Sequence, residues 1–133
     1  MTLTDAGPLI AILNRRDTHH QACVNALNSV RLPLVTTWPA LTEAMFILNE
    51  WPAQKALWKL LDREQLTVFD LDATLIDRTA ELMEKYHDMH MDLADATLVA
   101  VAEHLNQRLI FTVDRSDFST YRINNRKTFE IVP

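Results

Sequence analysis

Six acidic side chains stand where carboxylates could do chemistry: Asp5, Glu43, Asp92, Asp95, Asp114 and Asp117. Asp95 is the most constrained of them. It lies in Met91–Ala102, MDLADATLVAVA, which from Leu93 onward is apolar almost all round, with only Asp95 and Thr97 interrupting. A helix that is hydrophobic on every face belongs inside a protein. Asp95, and Asp92 one turn earlier on the same face, are therefore expected to be carried inward. An ionised carboxylate costs several kcal/mol to bury unless a cation or dense hydrogen bonding compensates. A carboxylate-rich group without accompanying Cys or His suits a hard cation, Mg²⁺ or Mn²⁺, held through oxygen. Left empty, such a group repels itself and partly reprotonates. Filled, it can deprotonate a water and stabilise the leaving oxygen in phosphodiester hydrolysis.

Each acid also has a purely structural account. Asp5, Asp92 and Asp114 are placed to cap helices, a position that favours aspartate. Asp117 suits the first turn of a helix, where the dipole favours negative charge, and Glu43 fits an ordinary helix surface. Position weighs on the other side. Asp5 and Asp114 each follow a strand candidate, and the neighbours of Glu43 (Leu41, Ala44, Met45, Phe46, Ile47 and Leu48) are expected to be largely buried.

The elements that must position these acids alternate along the chain. Met1–Thr4 is a strand candidate ended by Asp5, and Gly7-Pro8 open a helix to Leu13, proline suiting the first turn. A second helix, capped by Asp17 or Thr18, carries Ala22, Cys23, Ala26, Leu27 and Val30 at helical spacing. Leu34–Thr36 is an apolar, β-branched strand. Trp38-Pro39 and Trp51-Pro52 start helices to about Asn49 and Arg63, followed by a strand over Leu66–Leu71. Thr74 to about His87 and Asp92 to about Asn106 are helical, and Arg108–Val113 is a continuous apolar strand of the kind buried in parallel sheets. A short helical turn over Ser116–Tyr121 and a strand over Thr128–Val132 complete the chain. Strands alternating with helices predict an α/β fold of three layers, α/β/α, around a mainly parallel central sheet, in one domain spanning residues 1–133. In such folds ligands bind beyond the carboxyl ends of the strands, the edge at which Asp5 and Asp114 fall.

Composition narrows the function. Gly7 is the only glycine, which excludes the glycine-rich phosphate loops of ATPases, kinases and nicotinamide enzymes. The single cysteine, Cys23, is compatible with a reducing cytoplasm. No basic-then-apolar leader is present, and no apolar run approaches the roughly 18 residues of a membrane span, so a soluble cytoplasmic protein is expected. The net charge of −5 lacks the basic footprint usual for nucleic-acid binding. Two divalent cations, carrying +4, would bring that −5 to −1.

Four blocks carry a resemblance: DAGPLIAILNRR from Asp5, TTWPALTEA around Glu43, MDLADATLVAVAE around Asp95 and IFTVDRSDF around Asp114. In this order, over nearly the whole chain, they resemble the PIN-domain ribonucleases, and among these the VapC-like toxins of bacterial toxin–antitoxin pairs. The resemblance implies a Mg²⁺- or Mn²⁺-dependent RNA endonuclease whose metal-binding quartet is Asp5, Glu43, Asp95 and Asp114. Asp92 and Asp117 would be auxiliary acids, and Thr112 a supporting hydroxyl. It further implies a homodimer and a small antitoxin protein as partner. A non-catalytic PIN-like module that binds RNA or protein would share the same fold.

Other residues compete for attention. Val68–Asp77, VFDLDATLID, is similar to the first motif of haloacid-dehalogenase-type phosphatases, with Asp70 as nucleophile and Asp72 as acid/base. That motif carries glycine where Ala73 stands, and the later glycine-containing acidic motif cannot occur after Gly7. A strand ending near Asp70 and a helix capped by Asp72 or Thr74 is the expectation instead. His19, His20, His87 and His90 lack the cysteine or third histidine of a transition-metal set and are expected at the surface. Trp38, Trp51 and Trp58 are expected to act as packing anchors rather than base-stacking platforms. Arg15, Arg16 and Arg115 are candidates to grip RNA phosphates, with Arg122, Arg126 and Lys127 a weaker second set.

Overall fold

In the computed structural model, which describes residues 1–133, five short strands form one wholly parallel sheet. They are β1 (Thr2–Thr4), β2 (Leu34–Thr36), β3 (Leu66–Val68), β4 (Leu109–Phe111) and, after a two-stranded hairpin, β7 (Glu130–Val132). The spatial order is β3-β2-β1-β4-β7. Side chains alternate across each strand. Leu3, Val35 and Ile110 face one core, while Leu34, Leu66 and Phe111 face the other.

Helices cover both faces. The second core takes its helical side chains from α1 (Ala6–Leu13), α2 (His20–Leu27), α3 (Trp38–Leu48) and α4 (Trp51–Asp62). The first takes them mainly from α5 (Ala73–Lys85), α6 (Leu93–Leu105) and α7 (Arg115–Thr120). Every residue of α6 from Ala94 to Ala102 is buried, as its apolar circumference requires. The expected three-layer α/β/α architecture is the one observed. No helix is long and apolar enough to cross a membrane.

Left-handed backbone is supplied here without glycine. Six non-glycine residues have positive φ, and four are asparagines, the side chain that best tolerates this region after glycine. Asn49 and Asn106 end α3 and α6 in that conformation. Asn124 and Asn125 form the turn between β5 (Arg122–Ile123) and β6 (Lys127–Thr128). The turn is fastened to the helices by Glu103, which accepts from Asn124 N at 2.6 Å and from Arg78 Nε at 2.7 Å.

Several local expectations are corrected. Thr128–Val132 is not one strand: the chain changes partner at buried Phe129, with β6 pairing β5 and β7 pairing β4. The third strand stops at Val68 rather than Leu71. Neither Asp17 nor Thr18 caps α2. His19 is the N-cap and its side chain makes no capping bond, while Asp17 accepts from His19 N, ahead of the helix. The three tryptophans are exposed, Trp51 at 61%, because their helix faces turn away from both cores. They are not packing anchors.

Candidate metal centre

The chain lays β2 and β3 on one side of β1 and then crosses to place β4 on the other. The crevice between β1 and β4, beyond their carboxyl ends, is the topological switch point at which such sheets bind ligands. Asp5 directly follows β1, and its backbone N–H donates to Phe111 O at 2.9 Å, which ties it to the neighbouring strand end. Asp5 Oδ1 caps α1 by accepting from Ala6 N at 2.7 Å. Its Oδ2 accepts from the buried Thr112 hydroxyl at 3.1 Å, and that hydroxyl oxygen in turn accepts from Asp114 N at 3.0 Å. Thr112 thus couples the two strand-end acids through one oxygen.

Two further helices begin at the same place. Asp114 Oδ1 caps α7 through Asp117 N at 3.1 Å, and Asp92 Oδ1 caps α6 through Asp95 N at 2.8 Å. The capping account and the site account of these aspartates therefore hold together: in each, one oxygen serves the helix, and the other engages Thr112 in Asp5 and makes no bond within the chain in Asp92 and Asp114. Positive ends of three helix dipoles accompany the carboxylates. Asp95, in the first turn of α6 and only 7% exposed, caps nothing. Its Oδ2 accepts from the hydroxyl of Tyr121 at 2.8 Å.

Carboxylate oxygens of Asp95, Asp114 and Asp117 lie within 4.8 Å of one another. Asp5 joins this group through Thr112. Burial pushes Asp95 up to about 8, aided by the charges of Asp5, Asp92 and Asp114 and opposed by the Tyr121 hydrogen bond. Burial likewise raises Asp5 to about 6, against the hydrogen bonds from Ala6 and Thr112. Glu43 is raised by desolvation and by Asp5 and Asp92, and Asp117 by desolvation and by its contact with Asp114. All six acids thus share one electrostatic neighbourhood. None of the chain's ion pairs involves any of them. Crowded oxygen donors with raised pKa values and no cationic side chain fit a hard divalent ion.

Placement departs from expectation at two acids. Asp92 is exposed, not carried inward, because as the N-cap it lies before the buried length of α6. Glu43 sits on an exposed stretch of α3: Ala40, Leu41 and Ala44 are buried, but Phe46 is 80% exposed and Ile47 51%. The expected burial of its neighbours holds for Leu41 and Ala44, holds in part for half-buried Met45 and Leu48, and fails for Phe46 and Ile47. Instead, Trp38, Phe46 and Leu93 line an open apolar cleft of about 610 Å³ with Glu43 and Asp92 at its edge. Nothing in the sequence marks Tyr121, at the end of the expected helical turn, as a partner of Asp95.

The remaining candidates lie elsewhere. Arg15 and Arg16 are exposed in the turn after α1. Arg115 donates to the Pro133 carbonyl at 2.6 Å, and Arg122 donates to the carbonyls of Ser119, Thr120 and Tyr121, which closes the end of α7. His20 is half-buried with Nδ1 2.7 Å from Ala11 O, while His19, His87 and His90 are at the surface. Asp72 caps α5 through Leu75 N at 2.9 Å, and Asp70 is an exposed residue beyond the edge strand β3.

A parallel five-stranded sheet with acids gathered at its switch point is consistent with a nuclease-type fold. The PIN domain model matches residues 2–123, and the chain belongs to the PIN-domain family. It is 25% identical to Ribonuclease VapC26 of Mycobacterium tuberculosis over 134 aligned positions, covering 98% of this chain and 99% of that one. Its fold is similar to the crystal structure of Mycobacterium tuberculosis VapC20, described as a sarcin-ricin loop cleaving toxin, with a TM-score of 0.83, 18% identity and full coverage of both chains. A toxin–antitoxin complex from Klebsiella pneumoniae matches with a TM-score of 0.70 at 16% identity, over 90% of this chain and 92% of that one.

Proposed function

We propose that this chain is a Mg²⁺- or Mn²⁺-dependent endoribonuclease, the toxin of a toxin–antitoxin pair acting in the cytoplasm. The observation that carries this is the meeting of Asp95, Asp114 and Asp117 oxygens within 4.8 Å in a PIN-family chain, with no cationic side chain paired to them. Asp5 and Asp95 would hold the principal ion, Glu43 and Asp114 would complete its shell or a second one, and Asp92 and Asp117 would serve as auxiliary acids. Thr112 keeps Asp5 and Asp114 in register. When bound, the ion supplies Lewis-acid stabilisation of charge on the phosphoryl group and lowers the pKa of water. Water attacks phosphorus in line, the 3′ oxygen leaves with a proton, and the product carries a 5′-phosphate.

Partners follow from the surface. RNA phosphates would meet exposed Arg15 and Arg16. Arg115 is a weaker contact, since the Pro133 carbonyl already occupies it. The exposed apolar side chains Trp38, Phe46, Ile76 and Leu93 support contact with protein. A second copy on the α5–α6 side and an antitoxin are the two partners inferred. Similarity to the Klebsiella pneumoniae complex supports the latter.

Purified protein incubated with mixed structured RNAs should cut only with Mg²⁺ or Mn²⁺ and stop on addition of chelator. Asp95→Asn should abolish cutting without lowering the melting temperature, since it relieves the repulsion among buried acids. A substituted protein that melts well below the parent yet still cuts would overturn the ligand assignment. RNA binding without turnover at any metal concentration would instead identify a non-catalytic PIN-like module. Phosphate release from small phosphoesters would point to Asp70 and Asp72.

A further inference from the structure

Tyr121 is 1% exposed and its hydroxyl lies 2.8 Å from Asp95 Oδ2. Its ring is wedged edge-on between Tyr86 and Phe118, each with its centroid 5.2 Å away, and Phe118 packs in turn against Phe129 at 5.4 Å. The backbone on either side is also fixed. Tyr121 N donates to Asp117 O at 3.1 Å, and the Tyr86 hydroxyl accepts from Arg122 N at 3.0 Å. So much anchoring gives the hydroxyl almost no freedom. It reaches from the end of α7, the helix begun by Asp114 and carrying Asp117, across to the first turn of α6.

We propose that Tyr121 is a positioning residue for the metal centre, holding Asp95 Oδ2 so that Asp95 serves as a one-oxygen ligand through Oδ1. The proposal rests on the metal-centre function argued above. Three features support it. Asp95 Oδ2 accepts from the hydroxyl, whereas no hydrogen bond engages Oδ1, which is not sealed from the crevice. A hydroxyl donating to a buried carboxylate favours its charged, ligating form through a charge-assisted bond. Partners of this kind, bonded to a ligand rather than to the ion, orient the ligand and tune affinity. Because Tyr121 closes α7, it also sets the α6 acid against the α7 acids through a rigid aromatic stack, which carboxylates alone could not do. Mg²⁺, which demands regular geometry and retains water, suits single-oxygen ligands.

Mn²⁺ titration of the metal-free protein, read by calorimetry and by the electron paramagnetic resonance of free Mn²⁺, tests this without RNA. Tyr121→Phe keeps the ring and deletes the hydroxyl, and Mn²⁺ binding should weaken about tenfold. Tyr86→Phe deletes a hydroxyl that anchors the backbone beside Tyr121 without touching Asp95, and should weaken Mn²⁺ binding less than Tyr121→Phe does. Equal Mn²⁺ affinity in Tyr121→Phe and the parent, while Asp95→Asn loses binding, overturns the positioning role and leaves the metal centre standing. A parent protein that binds no Mn²⁺ overturns both. The unsubstituted protein gives an independent answer. With tyrosine labelled at the Cζ carbon, saturating Mg²⁺ should shift the Tyr121 resonance and spare Tyr86. A Tyr121 resonance unmoved by bound Mg²⁺ would also refute the role.

Discussion

Asp95 combines deep burial with a negative neighbourhood, and the linkage to stability can be worked out. Its carboxyl titrates at about 8 in the folded chain and that of Asp5 at about 6, against an ordinary value of 3.8. Between the ordinary and folded values the native chain holds more protons than the unfolded one, so stability falls as pH rises through that interval. Metal-free protein should therefore be more stable at pH 5 than at pH 8, by on the order of a few kcal/mol. Chemical denaturation in EDTA at both pH values measures this, and Asp95→Asn should flatten the upper part of the curve. Saturating Mg²⁺ should recover stability more at pH 8 than at pH 5, since protons compete for the same oxygens. A metal-free profile without slope between these pH values would show that the acids do not share a buried site.

At the scale of elements, the first turn of α1 is pressed against the link from β4 to α7. A Cβ added at Gly7 would lie 2.6 Å from Val113 Cγ2. Valine is stiff about χ1, so Gly7→Ala must move backbone beside Asp5 or Asp114. Destabilisation of about 1–3 kcal/mol is expected, and Val113→Ala in the same chain should recover most of it. Thermal melts of the single and double variants decide the matter. The same element shows what sequence could convey. Its strand, its proline and its capping aspartate are local, and so were legible, as were the all-apolar α6 and the acids that follow β1 and β4. The β5–β6 hairpin was missed because its turn, Asn124-Asn125, contains no glycine, although paired asparagines are themselves a signal for that turn. Exposure of Phe46 and Ile47 was missed because α3 is apolar on a face that neither core covers. Nothing local relates Tyr121 to an aspartate 26 positions earlier. Only the approach of α7 to α6 makes them partners.

The whole molecule carries −5 and must still meet a polyanion. Six of its 18 acids gather at one end of the sheet, while Arg15 and Arg16 project from the turn after α1. Arg16→Glu should weaken RNA binding and flatten its dependence on salt, because fewer counterions are released. An unchanged salt slope would remove Arg16 from the RNA track. On another side, Ile76 and Leu93 line a shared apolar cleft and are each more than half exposed. If a second copy covers them, Ile76→Glu with Leu93→Glu should convert a dimer to a folded monomer. Light scattering after gel filtration reads the mass, and circular dichroism confirms the fold. A dimer that persists would place the self-contact elsewhere.

Asp5, Asp92 and Asp114 each begin a helix as well as facing the crevice. A descendant that had abandoned turnover would still be under selection to keep a short oxygen-bearing side chain at all three positions, for folding alone. Asp95 begins no helix; its one partner in the fold is the Tyr121 hydroxyl, which asparagine could also satisfy, and its repulsion by the others makes its charge a burden to any chain that gains nothing from it. Among relatives of this protein, position 95 is where retired enzymes should first betray themselves.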